Sequence, residues 1–339
     1  MNGERLRLAC YSLGHFWVDF SCALLMFSCL WGRPEWGVCV LLYNFCAFAM
    51  QMPIGLAADR LDRNSAVAAV GCVLVALGWC LGSVPLLAAL TAGMGNGCFH
   101  VGGGVDVLNT SQTKSAALGI FVSPGAFGIY FGTVLGKGNT VPHWLSMMGL
   151  VIFAVAFLVL DLRLRGSLCS GNKIFYIEFS RNVIWALTCC FLVVVLRSYL
   201  GMIWSFPWKS GGWTLAAICA VVLGKATGGF LGDRVGMSRE AGWSLGLAAL
   251  LFCLSAHPVA GVAAIFLFNM TMPITLWAAA KLLPGAKGFA FGMLTFALFL
   301  GFLPVYLGWS VPVQGGVGYA FGALASLVLL VLGLRKGRL

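Results

Sequence analysis

The segment SLGHFWVDFSCALLMF, residues 12–27, places two ionisable side chains in an otherwise apolar stretch. His15 and Asp19 are four residues apart, so on a helix they share one face and reach each other. Counted from Leu8, where the apolar stretch begins, Asp19 lies about 17 Å along a helix, near the middle of a ~30 Å hydrocarbon core. A carboxylate at that depth costs roughly 2.5–3.5 kcal/mol on insertion scales, so it requires an explanation.

Three explanations for Asp19 compete. It accepts structural hydrogen bonds between helices, it faces lipid, or it lines a hydrated cavity and exchanges protons. The insertion cost makes the lipid-facing position the weakest of the three. An imidazole titrates near neutral pH, and a carboxylate beside it couples to that titration. The spacing therefore favours proton exchange by Asp19 together with His15.

Three further ionisable residues fall inside apolar stretches. His100 lies in a glycine-dense segment and is either a third proton-coupling residue or a structural group. Arg197 keeps its charge and binds carboxylate or phosphonate groups in bidentate fashion, which indicates a site for an anionic substrate. Lys225 either joins that site or extends its amine towards the membrane interface. The predicted substrate-binding set is Arg197, Lys225, Trp17, Tyr130 and Asn269, although tryptophan at helix ends often serves as an interfacial anchor.

The composition determines which elements hold these residues. The 339-residue chain is 60% hydrophobic and 9% charged, with a mean hydropathy of +0.96. Soluble domains carry about 25% charged residues, so we predict an all-α polytopic membrane protein. Continuous apolar runs predict twelve spanning helices, at 8–31, 36–57, 65–83, 85–108, 115–136, 143–162, 182–206, 212–232, 239–256, 258–280, 286–308 and 316–334.

The basic residues predict the topology. With the N-terminus inside, the predicted cytoplasmic segments hold 16 of the 21 Lys and Arg residues and the outer segments hold three. This asymmetry follows the positive-inside rule and places both termini in the cytoplasm. The net charge of +11 is thereby explained by topology, so nucleic-acid binding is not expected. We predict a multi-pass protein of the plasma (inner) membrane.

A loop motif occurs twice. GLAADRLDRN (55–64) and GGFLGDRVGMSR (228–239) both contain G-x-x-x-D-R, and the two copies lie 174 residues apart. A single copy is equally well explained as a capped turn, but two copies on the same predicted side indicate a duplicated six-helix unit. Glycine permits close helix approach, and aspartate at a helix boundary accepts backbone hydrogen bonds or pairs with a basic residue. The candidate gating residues are Gly55, Asp59, Arg60, Arg63, Gly229, Asp233 and Arg234.

These loops and the six-plus-six layout resemble the major facilitator superfamily and its G-x-x-x-D-R-x-G-R-[KR] element. The resemblance covers the whole chain, although Asp62 replaces the second glycine of the first copy and Met237 replaces a basic residue in the second. It implies two pseudo-symmetric six-helix bundles, residues 1–165 and 181–339, joined by a cytoplasmic linker at 166–180. It also implies that the loops latch the two halves in the outward-facing state, with the second latch the weaker.

A narrower resemblance is to the fosmidomycin-resistance branch of that superfamily. Its motifs are similar to G-H-x-x-x-D in the first helix, QMPIGLAADR in the second, GMGNGCFHVGGG in the fourth and LRSYLGMIWSFPW in the seventh. Val101 stands where that branch usually has proline. The resemblance implies export of small, often anionic, toxic compounds in exchange for protons.

The sequence thus predicts a proton-coupled secondary active transporter that exports a small anionic or amphiphilic compound by alternating access. One alternative is a proton symporter that imports a small nutrient, and another is a membrane sensor or scaffold without transport activity. The sequence contains no P-loop, HExxH motif or nucleophile elbow, so an enzyme is not expected. We expect a monomer in the lipid bilayer whose partners are protons and a small-molecule substrate, with no cofactor and no metal.

Overall fold

A computed structural model describes residues 2–111, 114–164, 174–309 and 314–339 of the chain. Within these ranges every regular element is a helix. Continuous apolar runs explain this result, because a helix satisfies all its backbone hydrogen bonds internally where no water is available. Residues 166–173 of the expected linker at 166–180 lie outside the described ranges.

The first part of the chain forms eight α-helices. α1 and α2 are each followed by a π-helical turn, Met26–Leu30 and Phe45–Ala49. The helices are α1 (Asn2–Leu25), α2 (Trp36–Asn44), α3 (Gln51–Leu61), α4 (Asn64–Cys80), α5 (Pro85–Ser111), α6 (Ala116–Val122), α7 (Pro124–Gly138) and α8 (His143–Leu164).

The second part forms seven more. They are α9 (Arg181–Ile203), α10 (Gly212–Val235), α11 (Met237–Cys253), α12 (Pro258–Asn269), α13 (Met272–Leu282), α14 (Lys287–Tyr306) and α15 (Gly315–Gly337). Proline accounts for two interruptions, because it lacks a backbone N–H and clashes with the preceding turn. Pro124 begins α7 after α6, and Pro273 lies in the first turn of α13 after α12.

Nine described segments are long and apolar enough to cross a membrane. They are Gly3–Leu30, Trp36–Leu61, Ala116–Gly138, His143–Leu162, Arg181–Ile203, Gly212–Val235, Pro258–Leu282, Lys287–Tyr306 and Gly315–Gly337. The chain is therefore an all-helical integral membrane protein. The expected number of twelve spans and the cytoplasmic position of both termini remain predictions.

The face of α8 shows how such a helix meets lipid. Eight large apolar side chains on this helix are more than a third exposed: Trp144, Met148, Val151, Ile152, Val155, Leu158, Val159 and Leu162. A row of this kind facing water would be an aggregation-prone patch, whereas facing acyl chains it costs nothing. The helix therefore has a lipid-facing surface, and its buried side carries Leu150, Ala154 and Phe157.

The described chain divides into two compact units. Unit 1 comprises Met1–Gln112, Pro124–Tyr176 and Gly285–Phe296. Its core includes a stack of Tyr11 on Phe157, with ring centroids 4.9 Å apart, and Phe99 against Phe157. The Tyr11 hydroxyl donates to Ser65 Oγ at 2.8 Å, so the buried phenol is satisfied and fixes α1 against α4.

Unit 2 comprises Thr113–Ser123, Ile177–Pro284 and Ala297–Leu339. Phe252, Phe268 and Tyr319 form an aromatic core in which ring pairs meet edge to face. The Tyr319 hydroxyl accepts from the Ser205 backbone N–H at 2.9 Å and donates to the Ile203 carbonyl at 3.2 Å. These bonds satisfy the backbone where α9 ends.

Candidate functional site

In unit 1, α1 and α5 bring together the three predicted proton-coupling residues. His15 Nε2 lies 3.2 Å from Asp19 Oδ2 and 2.9 Å from His100 Nε2. His100 Nε2 is 3.7 Å from Asp19 Oδ1. His15 and Asp19 are 5% and 6% exposed, and His100 is partly buried. The i,i+4 contact expected within α1 is therefore present, and His100, 85 residues away in sequence, joins it.

Asn96 organises this cluster, and it is absent from the residues that the sequence analysis selected. Its side-chain amide donates to Asp19 Oδ1 at 2.8 Å, and its backbone carbonyl lies 2.9 Å from His100 Nδ1. It precedes His100 by four residues on α5, so both face α1. That spacing, and a lone amide in a glycine-rich run, were the signals that could have identified Asn96.

The hydrogen bonds determine which nitrogen of His100 carries a proton. A carbonyl oxygen only accepts, so His100 Nδ1 must donate to Asn96, and Nε2 of the neutral ring is left as an acceptor. The 2.9 Å contact between the two Nε2 atoms then requires a proton, which His15 supplies. The same nitrogen lies 3.2 Å from Asp19 Oδ2, so His15 Nε2 contacts both an imidazole and a carboxylate.

The backbone of α7 covers the cluster. A Cβ added at Gly125 would collide with His15 Nε2 and Asp19 Oδ2, and one added at Gly128 would collide with the Phe16 carbonyl. The next glycines of the row, Gly132 and Gly136, also pack on α1. The glycine face of this helix thus serves close packing, and Gly125 shields the cluster directly.

In unit 2, α9 presents Arg197 to a pair of threonines. Arg197 is 9% exposed, and its guanidinium donates to Thr271 Oγ1 at 2.9 Å and to Thr275 Oγ1 at 3.4 Å. Both hydroxyls donate in turn to carbonyls of their own helical segment, which leaves their lone pairs for the arginine. Among the described residues no carboxylate lies within 4 Å of this guanidinium. The threonines were not selected from the sequence.

The other predicted substrate-binding residues lie at separate places. Trp17 donates to the Ser146 carbonyl at 3.1 Å and packs on α8, on a face of α1 turned away from Asp19. Tyr130 on α7 is half-buried beside Phe131. In unit 2, Asn269 is buried and donates to the Ile265 carbonyl of its own helix, and Lys225 on α10 is half-buried.

The two G-x-x-x-D loops have the same geometry. Asp59 accepts the backbone N–H groups of Gly288 and Phe289 at 2.7 and 2.8 Å, at the start of α14. Asp233 accepts those of Ser115 and Ala116 at 2.7 and 3.0 Å, at the start of α6. Each carboxylate thus caps the positive end of a helix. The expectation that these aspartates accept backbone hydrogen bonds is confirmed, and the latch function remains a prediction.

The glycines of the motif explain its spacing. A Cβ at Gly55 would collide with the Gly288 carbonyl, and one at Gly229 would lie 2.7 Å from the Ser115 carbonyl oxygen. Glycine at this position therefore lets the start of another helix approach closely. The aspartate four residues later caps that helix. The loop ends at a left-handed residue in both copies, Asp62 with φ 50° and Gly236 with φ 97°. Asp62 replaces glycine here because aspartate tolerates this conformation.

The basic residues of the loops face outwards. Arg60 is exposed and lies over the Phe175 ring, with 4.8 Å from its guanidinium carbon to the ring centroid. Arg63 precedes α4, and Arg234 lies in the last turn of α10; both are exposed. Their positions contrast with the buried carboxylate of Asp59.

A scan against protein-family models finds no match, and a search of curated protein sequences finds none either. Solved structures match over nearly the whole chain. A variant of the E. coli fucose:proton symporter FucP is 16% identical, with a TM-score of 0.69 over 98% of this chain and 99% of that one. The human organic anion transporter MFSD10 (TETRAN) is 14% identical, with a TM-score of 0.66 over 96% and 99%.

A bacterial homologue of the iron transporter ferroportin, in the outward-facing state, is also 14% identical, with a TM-score of 0.64 over 98% of both chains. At such identities the likeness shows the fold alone. The chain therefore has the fold of the major facilitator transporters. The narrower resemblance to the fosmidomycin-resistance branch remains a prediction.

Proposed function

We propose that this protein is a proton-coupled secondary transporter that exports a small anionic or amphiphilic compound by alternating access. The observation that carries the proposal is the cluster in which His15, Asp19 and His100 are in mutual contact. Two imidazoles and a carboxylate in mutual contact change their proton occupancy as one coupled unit. The fold supports transport, and solved structures that share it are described as transporters.

The anionic nature of the substrate is supported by Arg197. The hydrogen-bond partners of this guanidinium are two neutral hydroxyls, and its electrostatic partner is the buried Glu240 carboxyl, which makes no ion pair with it within 4 Å. The guanidinium would bind a carboxylate or phosphonate group in a bidentate manner. The solved structure of an organic anion transporter with the same fold agrees with this substrate class.

In the proposed cycle, proton binding at the His15–Asp19–His100 cluster and anion binding at Arg197 alternate as the access side changes. The bundles 1–165 and 181–339 would rock about the substrate, with the linker at 166–180 on the cytoplasmic side. The caps formed by Asp59 and Asp233 would hold one state and release in the other. We place the protein in the plasma (inner) membrane, with both termini in the cytoplasm.

Reconstituted vesicles test the proposal. The purified protein is placed in proteoliposomes that contain a pH-sensitive dye, and a panel of small anions, phosphonates included, is added to one side. We expect at least one anion to drive proton flux in the wild type and Asp19→Asn to abolish that flux. Glu35→Gln removes an exposed carboxylate from a loop and should leave the flux unchanged. Normal flux in a correctly folded Asp19→Asn protein would refute the proton-coupling role.

Proton symport for import is the second candidate, and the likeness to a fucose:proton symporter favours it. The two functions differ in the sign of coupling. An antiporter acidifies the compartment from which the anion departs, because the proton moves in the opposite direction. A symporter makes the same compartment more alkaline. A sensor or scaffold would show neither change with any substrate of the panel.

A further inference from the structure

We propose that His15, Asp19 and His100 also form a binding site for a divalent transition-metal ion. The ion would bind at the same nitrogen and oxygen atoms that contact one another in the cluster. The site lies within unit 1 and uses two imidazole nitrogens and one carboxylate. The sequence by itself predicted no metal site, because the two histidines are far apart in the chain.

The distances fit a single ion. The three ligand atoms all lie within 4.8 Å of one another. Bonds of about 2.0–2.2 Å from a metal to imidazole nitrogen and carboxylate oxygen place neighbouring ligand atoms roughly 3–4 Å apart. The two Nε2 atoms lie 2.9 Å apart, with His15 Nε2 at 3.2 Å from Asp19 Oδ2 and His100 Nε2 at 3.7 Å from Asp19 Oδ1, so small rotamer adjustments bring both nitrogens and one oxygen onto one centre.

The surrounding hydrogen bonds prepare the ligands. A metal-binding histidine commonly donates its other ring N–H to a carbonyl, which directs the free lone pair to the metal. His100 does so through Nδ1 and the Asn96 carbonyl, at 2.9 Å. The Asn96 amide also holds Asp19 Oδ1 at 2.8 Å. One residue therefore orients two of the three ligands.

The donor set selects the class of ion. Imidazole nitrogens with a carboxylate suit the first-row series from Mn²⁺ to Zn²⁺, whereas Ca²⁺ and Mg²⁺ prefer oxygen ligands alone. The His100 side chain is 12% exposed, against 7% and 8% for His15 and Asp19, so solvent reaches the cluster most on the His100 side. Three protein ligands leave at least one coordination position for water or a second ligand on that side.

The inference deepens the proposed function and rests on it only in one respect, that the ion and the coupling proton compete for the same ligand atoms. Binding of the ion uses the Nε2 lone pairs of both imidazoles, so a neutral His15 ring then carries its proton on Nδ1, and a ring protonated on both nitrogens releases its Nε2 proton to bulk water. The titratable groups that face the cluster are His15, Asp19 and Cys22 of α1 and His100 of α5. α7 faces it with Gly125.

Metal titration of the purified full-length protein, made without a polyhistidine tag, is the test. Zn²⁺ binding is followed by calorimetry and Co²⁺ binding by visible absorption, both in detergent without substrate or pH gradient. We expect one saturable ion per chain. His15→Gln, His100→Gln and Asp19→Asn should each weaken binding at least tenfold. His257→Gln, an exposed histidine, is the matched control and should bind as the wild type does.

Asn96→Ala gives a second readout that spares all three ligands. Loss of an orienting group typically weakens a metal site by about 10–100-fold, so this variant should bind the ion within that range of the wild-type affinity. Size-exclusion chromatography and a thermal unfolding scan confirm that each variant is folded. The proposal is overturned by absence of saturable binding in the wild type, or by unchanged binding in a folded His15→Gln/His100→Gln double variant.

Failure of this inference is distinguishable from failure of the proposed function. Binding is measured without a gradient, and proton flux is measured in vesicles without metal. If the protein shows Asp19-dependent proton flux but binds neither Zn²⁺ nor Co²⁺, only the metal-site inference is refuted. If the protein binds the ion at these residues but shows no proton flux, only the proposed transport function is refuted.

Discussion

The polar clusters of unit 1 and unit 2 have a similar spacing of polar residues, but their charged groups differ in chemistry. Thr271 and Thr275 follow Asn96 and His100 by 175 residues each, one more than the spacing of the two G-x-x-x-D-R loops. In both units a polar pair at i,i+4 thus faces a charged residue on another helix. Unit 1 places two imidazoles beside a carboxylate, and unit 2 places a guanidinium beside two hydroxyls.

Under the proposed function, this difference assigns one of two tasks to each unit. A proton site needs groups whose charge changes near neutral pH, which imidazole and a coupled carboxylate provide. An anion site needs a charge that persists through the cycle, which only guanidinium guarantees. The helix-capping aspartates are the same in both units, because their role is to stabilise the helices.

Among the variants that test this comparison, Arg197→Gln should have the largest effect. Loss of a charge-assisted hydrogen bond costs about 1.5–3 kcal/mol, so the half-saturating concentration of an anionic substrate should rise about tenfold or more. Arg197→Lys should restore only part of the affinity, since an ammonium cannot bind in bidentate fashion. The measurement is substrate-dependent proton flux at varied anion concentrations. Arg5→Gln, which removes an exposed charge, is the control.

Gly125→Ala should have the next largest effect. Its Cβ would collide with His15 and Asp19, and overpacking of this kind costs about 1–3 kcal/mol. We expect a lower unfolding temperature in detergent together with impaired proton flux. Gly246→Ala is the matched control, because a Cβ there meets nothing within 4 Å. That variant should be neutral or slightly more stable. Equal behaviour of the two variants would contradict the close contact of α7 with the cluster.

Asp59→Asn and Asp233→Asn test whether the frame is symmetric. Each removes a charged cap from two backbone N–H groups, which costs about 0.5–2 kcal/mol. Similar losses of thermal stability in the two single variants would agree with equivalent caps. A large loss from one variant and none from the other would show that the two loops differ in spite of their shared motif.

The smallest effect is expected from the threonines. Thr271→Val removes the acceptor at 2.9 Å from Arg197, and Thr275→Val removes the one at 3.4 Å. A neutral hydrogen bond contributes about 0.5–1.5 kcal/mol, so anion affinity should change by less than about tenfold. Thr271→Val should have the larger effect, measured in the same flux assay. A reversed order would place the guanidinium in another arrangement during transport.

Much of the unit 1 site could be predicted from the sequence. His15, Asp19 and His100 are conspicuous because ionisable groups are costly in apolar stretches. Asn96 was missed because an amide costs less to bury and gives a weaker signal. Its role depends on the packing of α5 against α1, which the order of residues does not specify.

The substrate-binding set was less predictable. Arg197 was conspicuous for its charge, whereas its partners Thr271 and Thr275 are common residues whose hydroxyls also bond to their own helix. Trp17 was selected for its aromatic ring, yet it packs on α8 and donates to the Ser146 carbonyl. Helix rotation decides such contacts, and a lone aromatic residue in an apolar run does not reveal it.

By itself, the sequence determined that this chain is a helical membrane protein, where its costly charges lie and that its loop motif is duplicated. These follow from composition, local spacing and transfer energies, which depend on neighbouring residues alone. Only the tertiary structure decided which hydrogen bonds form among His15, Asp19, His100 and Asn96. It also decided which helix each loop aspartate caps. Hydrogen bonds form within a few tenths of an ångström, and across distant helices that distance is set by packing.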